Sequence, residues 1–270
     1  MPRFEVTCPA APPSLPEGAV LRIDAEHWLA AFKAALAKAG VAAVPHVLCD
    51  VQADGAIHVS DPASGGVFRI RELGAEAAGR AAPASLAAPT AEPGRAPPAP
   101  ATPPRPAPSA DEVLAELFER AGEAAGLDRD AALGFLLDLA MEKVDAEAGS
   151  VLLARGAAGR ELEFVVARGP RAKELLALRT RVPVGVGIVG FCTRENVCLA
   201  VSDAERDPRF HRAISQALGY PTRSLLCAPI SRKGQVLGAL EVLNRRGGVP
   251  FGAVELSVLA YLAHRAAEHL

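Results

Sequence analysis

The stretch that decides the fold of the C-terminal half is RSLLCAPISRKGQVLGALEVLN, residues 223–244. Two long apolar runs, Arg223–Ile230 and Gln235–Asn244, flank the tripeptide Arg-Lys-Gly at residues 232–234. Glycine accepts the positive φ that a tight connection between two strands requires, so the pattern predicts a β-hairpin. We therefore expect two adjacent antiparallel strands near the end of the chain.

Helix and strand patterns surround this hairpin in a regular order. Apolar residues recur at helical spacing in some segments and form short continuous runs, typical of strands, in others. The predicted elements are helices at 111–126 and 128–146, strands at 150–153 and 161–167, a short helix at 170–178, a glycine-rich segment at 182–189, one or two helical turns at 190–195, a strand at 198–201, a helix at 207–218, the hairpin, and a helix from Phe251 onward.

Taken in this order, the segments resemble a GAF domain, and the resemblance covers essentially all of residues 111–270. The matching stretches are Gly149–Leu153, Val182–Gly190, Leu199–Asp203, Arg223–Ile230 and Gly238–Asn244. The resemblance implies an α+β fold with a six-stranded, mostly antiparallel sheet flanked by helices. It further implies terminal helices packed together on one face and a ligand pocket on the other face, under short helices and closed by the glycine-rich segment.

Eight residues are the candidates for contact with a ligand in the pocket that this resemblance implies. Asp203, which ends a predicted strand, is the first choice for a polar contact, although aspartate also caps turns. The glycines permit the close backbone approach that a pocket rim requires, but a structural role in turns is favoured for them. The candidates are Gly187, Gly190, Phe191, Asp203, Phe210, His211, Ser224 and Cys227.

Narrower groups within the family fit this sequence less well. Members that bind cyclic nucleotides carry a late motif of Asn, Lys, Phe, Asp and Glu, and this chain has Asn244, Arg245, Phe251, Glu255 and then Leu256. The Lys–Asp pair of that motif would become a pair between Arg245 and Glu255, which the resemblance allows, but the last carboxylate is lost, which disfavours cyclic nucleotides. No cysteine precedes a histidine, as bilin attachment needs, and aromatic residues are sparse. The sequence identifies no cofactor and predicts no metal site.

One enzyme of the family reduces free methionine sulfoxide with pocket cysteines, and its pattern is only partly present. The sequence has Cys192, Cys198 and Cys227 in the right half of the domain, but not at the family's catalytic positions, which fall near Val189 and within 218–220. Cys198 and Cys227 lie in apolar strand runs, where cysteine usually acts as a small buried hydrophobic residue. We therefore expect no catalytic residue and keep a redox enzyme or thiol sensor as an alternative.

The region 1–73 predicts a small α+β module of no recognised family. A short strand at 19–23 precedes a helix that Asp24 would cap, and further strands are predicted at 46–51, 57–59 and 67–70. The helix carries its apolar residues at helical spacing and ends near Gly40. A docking or structural role is favoured over a ligand site made by His46, His58 and Asp61.

A biased segment separates the two regions. Of the 37 residues in 74–110, 24 are Ala or Pro, and no apolar period is present. Proline blocks helices and removes backbone donors, so we predict an extended, disordered linker.

The overall composition narrows the function further. A net charge of −2 gives no electrostatic basis for binding nucleic acid or an anionic membrane. The five cysteines are odd in number and lack a C-x-x-C pair, no apolar run reaches the roughly 20 residues of a membrane helix, and no signal peptide is visible. Abundant Ala, Pro and Arg indicate a GC-rich bacterial genome, and we expect a cytoplasmic location.

The leading hypothesis is a non-enzymatic signalling sensor or adaptor. Its GAF domain would bind a small ligand or a signalling protein, and its terminal helices would form a homodimer. The alternatives are a structural GAF module that acts only through protein contacts and the cysteine-based enzyme or sensor.

Overall fold

A computed structural model describes residues 1–9, 19–41, 46–52, 54–60, 66–74, 110–156 and 159–270, without the side chains of 110–113. Asp61 and nearly all of the predicted linker lie outside these residues.

The described residues form eleven strands and seven α-helices. In chain order they are β1 (Arg3–Thr7), β2 (Val20–Asp24), α1 (Trp28–Lys38), β3 (His46–Val51), β4 (Ile57–Ser60), β5 (Val67–Leu73), α2 (Ala110–Gly122), α3 (Arg129–Val144), β6 (Ala146–Arg155), β7 (Glu161–Arg168), α4 (Ala172–Ala177), β8 (Arg181–Pro183), α5 (Gly187–Glu195), β9 (Cys198–Val201), α6 (Arg212–Leu218), β10 (Leu225–Arg232), β11 (Gln235–Arg245) and α7 (Ala253–Ala267). Short 3-10 turns lie at Glu123–Gly126 and Arg246–Gly248.

The predicted hairpin is the centre of the C-terminal sheet. Strands β10 and β11 pair antiparallel, and Lys233 and Gly234 between them both have positive φ values, 52° and 81°. Two successive positive φ values are the signature of a two-residue hairpin turn. The strand order is β9-β10-β11-β6-β7-β8, and every pair within it is antiparallel.

Side-chain alternation gives this sheet two buried faces. Leu240 and Val242 face the core under α3 and α7, whereas Ala239 and Leu243 belong to the core on the opposite face. The helix α2 reaches α7 through an edge-to-face contact between the Phe118 and Tyr261 rings, whose centroids lie 4.8 Å apart. The terminal helices therefore meet on one face, as the resemblance implies.

The N-terminal residues form their own antiparallel strands, in the order β2-β1-β5-β4-β3. Helix α1 packs on them, and the Phe32 and Phe68 rings meet edge to face at 4.9 Å. Strand β1 was not predicted, although Phe4 and Val6 alternate with exposed or half-buried neighbours at the period of a strand.

The two regions share a single sheet. Strand β3 pairs parallel with β9, with His46 opposite Cys198 and Cys49 opposite Val201. This pairing joins both sets of strands into one eleven-stranded sheet. It is the single parallel pairing among the described strands, and local sequence patterns do not predict it.

Two helix starts differ from the sequence prediction because other groups satisfy the proposed caps. His27 Nδ1, rather than Asp24, accepts the Ala30 N–H at 3.2 Å and caps α1, while Asp24 pairs with Arg3 at 2.7 Å. The helix predicted at 207–218 begins only at Arg212. The preceding residues form turns, in which the Asp207 carbonyl accepts the Phe210 N–H at 3.0 Å.

The close approach of β11 to β6 at Gly238 predicts how a side chain at this position would affect the stability of the protein. A Cβ at Gly238 would lie 2.1 Å from the Leu152 carbonyl oxygen, whereas a Cβ at Gly122 meets nothing within 4 Å. We expect Gly238→Ala to lower the free energy of unfolding by about 1–3 kcal/mol or more, as overpacking does. The control Gly122→Ala should not destabilise the protein. Urea unfolding of both variants measures this, and equal stabilities would contradict the close approach.

Candidate functional site

A cavity of about 100 Å³ lies between the sheet and the helices α4, α5 and α6. Apolar side chains from both layers form most of its wall. These side chains are Phe164, Leu175, Val182, Ile188, Val189, Phe210, Ile214, Leu218, Leu225 and Leu243. Concave, mainly apolar pockets with a few polar groups are the usual form of small-molecule sites.

The one carboxylate in this otherwise apolar floor is Glu241, the only acidic side chain among the described residues that line the cavity. It lies in the middle of β11, opposite Ser150 on β6 and Cys227 on β10. The Ser150 hydroxyl donates to its Oε2 at 3.3 Å. Burial raises the pKa of Glu241 to about 7, because the charged form loses its hydration and the Ser150 hydrogen bond offsets only part of this.

Glu241 belongs to the family stretch Gly238–Asn244 but is not among the eight site residues that the sequence predicts. The signal was present, because residues 239, 241 and 243 share one face of the strand. A glutamate between Ala239 and Leu243 on that buried face therefore needs an explanation. Strongly shifted carboxyl groups in clefts are candidates for function.

Three polar side chains that line the cavity have partners within the protein. Arg168 pairs with Asp138 at 2.7 Å, and Arg171 pairs with Glu174 at 3.2 Å. The Tyr220 hydroxyl donates to Glu147 Oε2 at 3.1 Å. The cationic rim is thus already neutralised by these carboxylates.

Three of the eight residues proposed from the sequence line the cavity: Gly187, Phe210 and His211. Gly187 has a φ of 72°, and a Cβ there would lie 3.2 Å from His211 Cβ, so a side chain at Gly187 would be strained and crowded.

The other five candidates lie outside the described cavity wall, each for a local reason. A Cβ at Gly190 would lie 2.6 Å from the Pro183 carbonyl oxygen, so this glycine serves helix packing. Phe191 points toward the N-terminal region and stacks near Trp28. The remaining three are Asp203, which pairs with Arg206 at 3.2 Å; Ser224, whose hydroxyl oxygen accepts the Arg245 N–H at 3.2 Å; and Cys227, which is fully buried beside Glu241 on the adjacent strand.

The residues of the late motif connect the end of β11 to the start of α7 and to the segment before β10. Arg245 and Glu255 make the predicted ion pair, with Nη2 and Oε1 2.8 Å apart. Glu255 also accepts the Gly252 N–H at 2.8 Å at the start of α7. Asn244 accepts the Arg223 N–H at 2.7 Å and donates to the Pro221 carbonyl at 2.9 Å, which fixes the segment after Tyr220 at the cavity rim.

The cysteines of the GAF-like region are buried free thiols. Burial raises the pKa of Cys198 to about 12 and also raises the pKa of Cys192 and Cys227. A thiol with a raised pKa is a poor nucleophile at neutral pH, because the thiolate is the reactive form.

A second cluster joins the GAF-like region to α1. The guanidinium of Arg209 lies between two aromatic rings, with Cζ 4.9 Å from the Trp28 centroid and 4.8 Å from the Phe191 centroid. Its Nε donates at 2.8 Å to Asp207, which is completely buried. We call Trp28, Phe191, Asp207 and Arg209 the Arg209 cluster.

An ion-pair bridge lies beside the Arg209 cluster, at the end of α5. Glu195 contacts Lys33 Nζ at 3.0 Å and His27 Nε2 at 3.1 Å. Desolvation lowers the pKa of His27, and the neighbouring Glu195 opposes this only in part. A neutral His27 suits both of its contacts, since Nδ1 accepts from Ala30 while Nε2 can donate to Glu195.

Two short segments belong to both the cavity and this contact with α1. In α5, Gly187, Ile188 and Val189 line the cavity, while Phe191 on the same helix contacts Trp28. In the turns before α6, Phe210 and His211 line the cavity directly after Arg209. The cavity wall and the contact with the N-terminal strands are therefore made by adjacent residues.

The described part of the chain contains no group of three or more His, Cys, Asp or Glu side chains placed to hold a metal ion. Within that same part, no helix is long and apolar enough to cross a membrane.

Comparison with known proteins agrees with this architecture. The family model for the GAF domain matches residues 109–270. A cGMP-specific 3',5'-cyclic phosphodiesterase from Drosophila ananassae is 29% identical over 114 residues, which are 38% of this chain and 10% of that relative. The match therefore spans about a tenth of the phosphodiesterase. No family model match accompanies the N-terminal region.

A solved GAF domain shows the same fold. The GAF domain of a phosphoenolpyruvate-protein phosphotransferase from Coxiella burnetii has a TM-score of 0.52 at 20% identity, covering 58% of this chain and 90% of that one. A free methionine-R-sulfoxide reductase from Neisseria meningitidis has a TM-score of 0.47 at 21% identity, covering 59% and 86%. The GAF family model matches more than half of this chain, and the chain therefore belongs to the GAF domain family.

Proposed function

We propose that this protein is a non-enzymatic signalling sensor, in which the GAF cavity binds a small ligand and the N-terminal region responds to its occupancy. One observation carries the proposal: α5 and the turns before α6 supply both the cavity wall and the contacts with α1. A ligand that shifts these two segments by a small distance changes both contacts together.

The contact is suited to a two-state response because it is charged and buried. The Asp207–Arg209 pair is removed from water, and an unpaired buried charge costs several kcal/mol. Stacking of Arg209 on Trp28 and Phe191 adds roughly 0.5–2 kcal/mol for each favourable cation–π contact. Phe210 follows Arg209 directly in the chain. A shift of Phe210 would therefore disturb the Asp207–Arg209 pair and the stacking of Arg209 on the two rings.

The buried thiols support a function without catalysis. Attack by cysteine requires an accessible thiolate, whereas Cys192, Cys198 and Cys227 are buried and have raised pKa values. The similarity to the phosphodiesterase covers a tenth of that protein, so its name suggests a signalling context and supplies no catalytic residue here.

A protein partner is the second candidate, and exposed apolar side chains on α2 favour it. Leu114 and Phe118 are 46% and 52% exposed, beside Tyr261 of α7. Apolar stripes on terminal helices often pack against a second copy. We propose a homodimer through these helices. In a ligand sensor the dimer accompanies ligand binding, whereas in a purely structural GAF module such protein contacts are the whole function.

Native mass spectrometry tests the occupied cavity. We expect protein purified gently from its own host to carry a mass excess that disappears on denaturation. Ile214 lies on the cavity side of α6, so Ile214→Trp should fill the cavity and abolish the excess, whereas Gln216→Trp on the exposed side should retain it. No excess in the wild type, or the same excess in Ile214→Trp, would contradict ligand binding at this site.

Alkylation separates the sensor from the thiol-based alternative. We expect iodoacetamide at neutral pH to leave Cys192, Cys198 and Cys227 of the native protein unmodified, because burial keeps the thiols protonated and covered. The same residues should react fully in urea. Rapid modification of any of the three in the folded protein would instead favour a redox role.

A further inference from the structure

We infer that the ligand of the GAF cavity is a small organic amine, with its ammonium group on Glu241 and its apolar body against the cavity wall. This inference rests on the proposed function, since it names the chemical class that the same cavity takes. The observation behind it is a carboxylate at the floor of an apolar cavity with no cation beside it among the described residues.

Among the residues that the structure describes, none beside Glu241 supplies a countercharge. Within the sheet its neighbours are Ser150 on β6, which donates one hydrogen bond, and the Cys227 thiol on β10. Cys192 of α5 packs against Cys227 on the same face of the sheet, as a second buried thiol. Both thiols have raised pKa values and are neutral, so neither compensates a carboxylate.

The arginines that line the cavity do not fill this need either. The Arg168 guanidinium lies against α3, where it pairs with Asp138, and Arg171 pairs with the exposed Glu174. His211 and Tyr220 complete the titratable groups of the described wall. The Tyr220 hydroxyl is bonded to Glu147, and no hydrogen bond or ion pair joins His211 to Glu241. A ligand that supplies its own cation at the floor therefore completes the site.

The remaining wall selects the rest of the ligand. Apolar side chains from the sheet and from α5 and α6 surround Glu241, so they favour a compact aliphatic or aromatic body. Ligands with a negative group are disfavoured, because they would bring a second anion to a desolvated carboxylate. An ammonium favours the charged form of Glu241 and should lower its pKa on binding.

Three probes of nearly equal shape test the inference: benzylamine, benzyl alcohol and benzoate. We expect titration calorimetry with the full-length protein, freed of any endogenous ligand, to show binding of benzylamine and weaker or no binding of the other two. Glu241→Gln should weaken benzylamine by about 10- to 100-fold, the usual effect of losing a charged hydrogen bond. Asp203→Asn, which removes an exposed carboxylate outside the cavity wall, should bind benzylamine like the wild type.

The pH dependence supplies a readout that a merely structural Glu241 would not give. Between about pH 6 and 8 the amine stays protonated while Glu241 ionises, so benzylamine affinity should rise with pH and binding should release protons. In Glu241→Gln this dependence should disappear. Urea unfolding checks that Glu241→Gln folds. Because the pKa of Glu241 is higher in the folded state than in the unfolded state, this group lowers the free energy of unfolding as pH rises from about 4.5 to 7. We therefore expect Glu241→Gln to be no less stable than the wild type at neutral pH.

The failing outcomes are distinguishable. Benzyl alcohol or benzoate binding as well as benzylamine, or benzylamine binding unchanged in Glu241→Gln, overturns the amine assignment and leaves the cavity as a ligand site. No binding of benzylamine overturns the assignment as well. No binding of any probe, together with no bound mass in protein from the host, overturns the proposed function itself.

Discussion

The alternation of side chains along β11 is the constraint on which both the fold and the site depend. Leu240 and Val242 are fixed under α3 and α7, so their neighbours Ala239, Glu241 and Leu243 must face the opposite side. A shift of one residue in register would exchange these faces. Only the hydrogen of Gly238 fits against the Leu152 carbonyl oxygen. A shifted register would place a residue with a Cβ there, so it is disfavoured. The same pairing that builds the core therefore places one carboxylate at the floor of the cavity.

The cavity is connected to the N-terminal strands by short, strongly anchored segments. The parallel pairing of β3 with β9 brings α1 beside α5, and Arg209 occupies the space between Trp28 and Phe191. Arg209 is adjacent to Phe210 in the chain, so the Arg209 cluster and the cavity wall are directly linked. The N-terminal region thus covers the edge of the GAF sheet.

Local patterns were sufficient for most elements of the GAF region and insufficient for contacts between distant segments. The hairpin and the terminal helices follow from residues near one another in sequence, whereas the Arg245–Glu255 pair follows from the family motif, and the structure contains each of them. The β3–β9 pairing joins strands about 150 residues apart, and no local signal sets its register. Asp203 was favoured as a polar contact because it ends a strand, yet Arg206 holds it at the surface. The buried position of Glu241 follows from the strand period alone, since residues 239, 241 and 243 share one face of β11.

The central claim is that occupancy of the GAF cavity changes the contact between α5 and α1. Hydrogen exchange of the α1 amides measures this most directly, in host-purified wild type and in variants whose cavity is blocked or left open. The account predicts that exchange in α1 differs between the wild type and Ile214→Trp, while Gln216→Trp matches the wild type. Identical exchange of α1 in all three proteins, with the wild-type cavity occupied, would contradict the account.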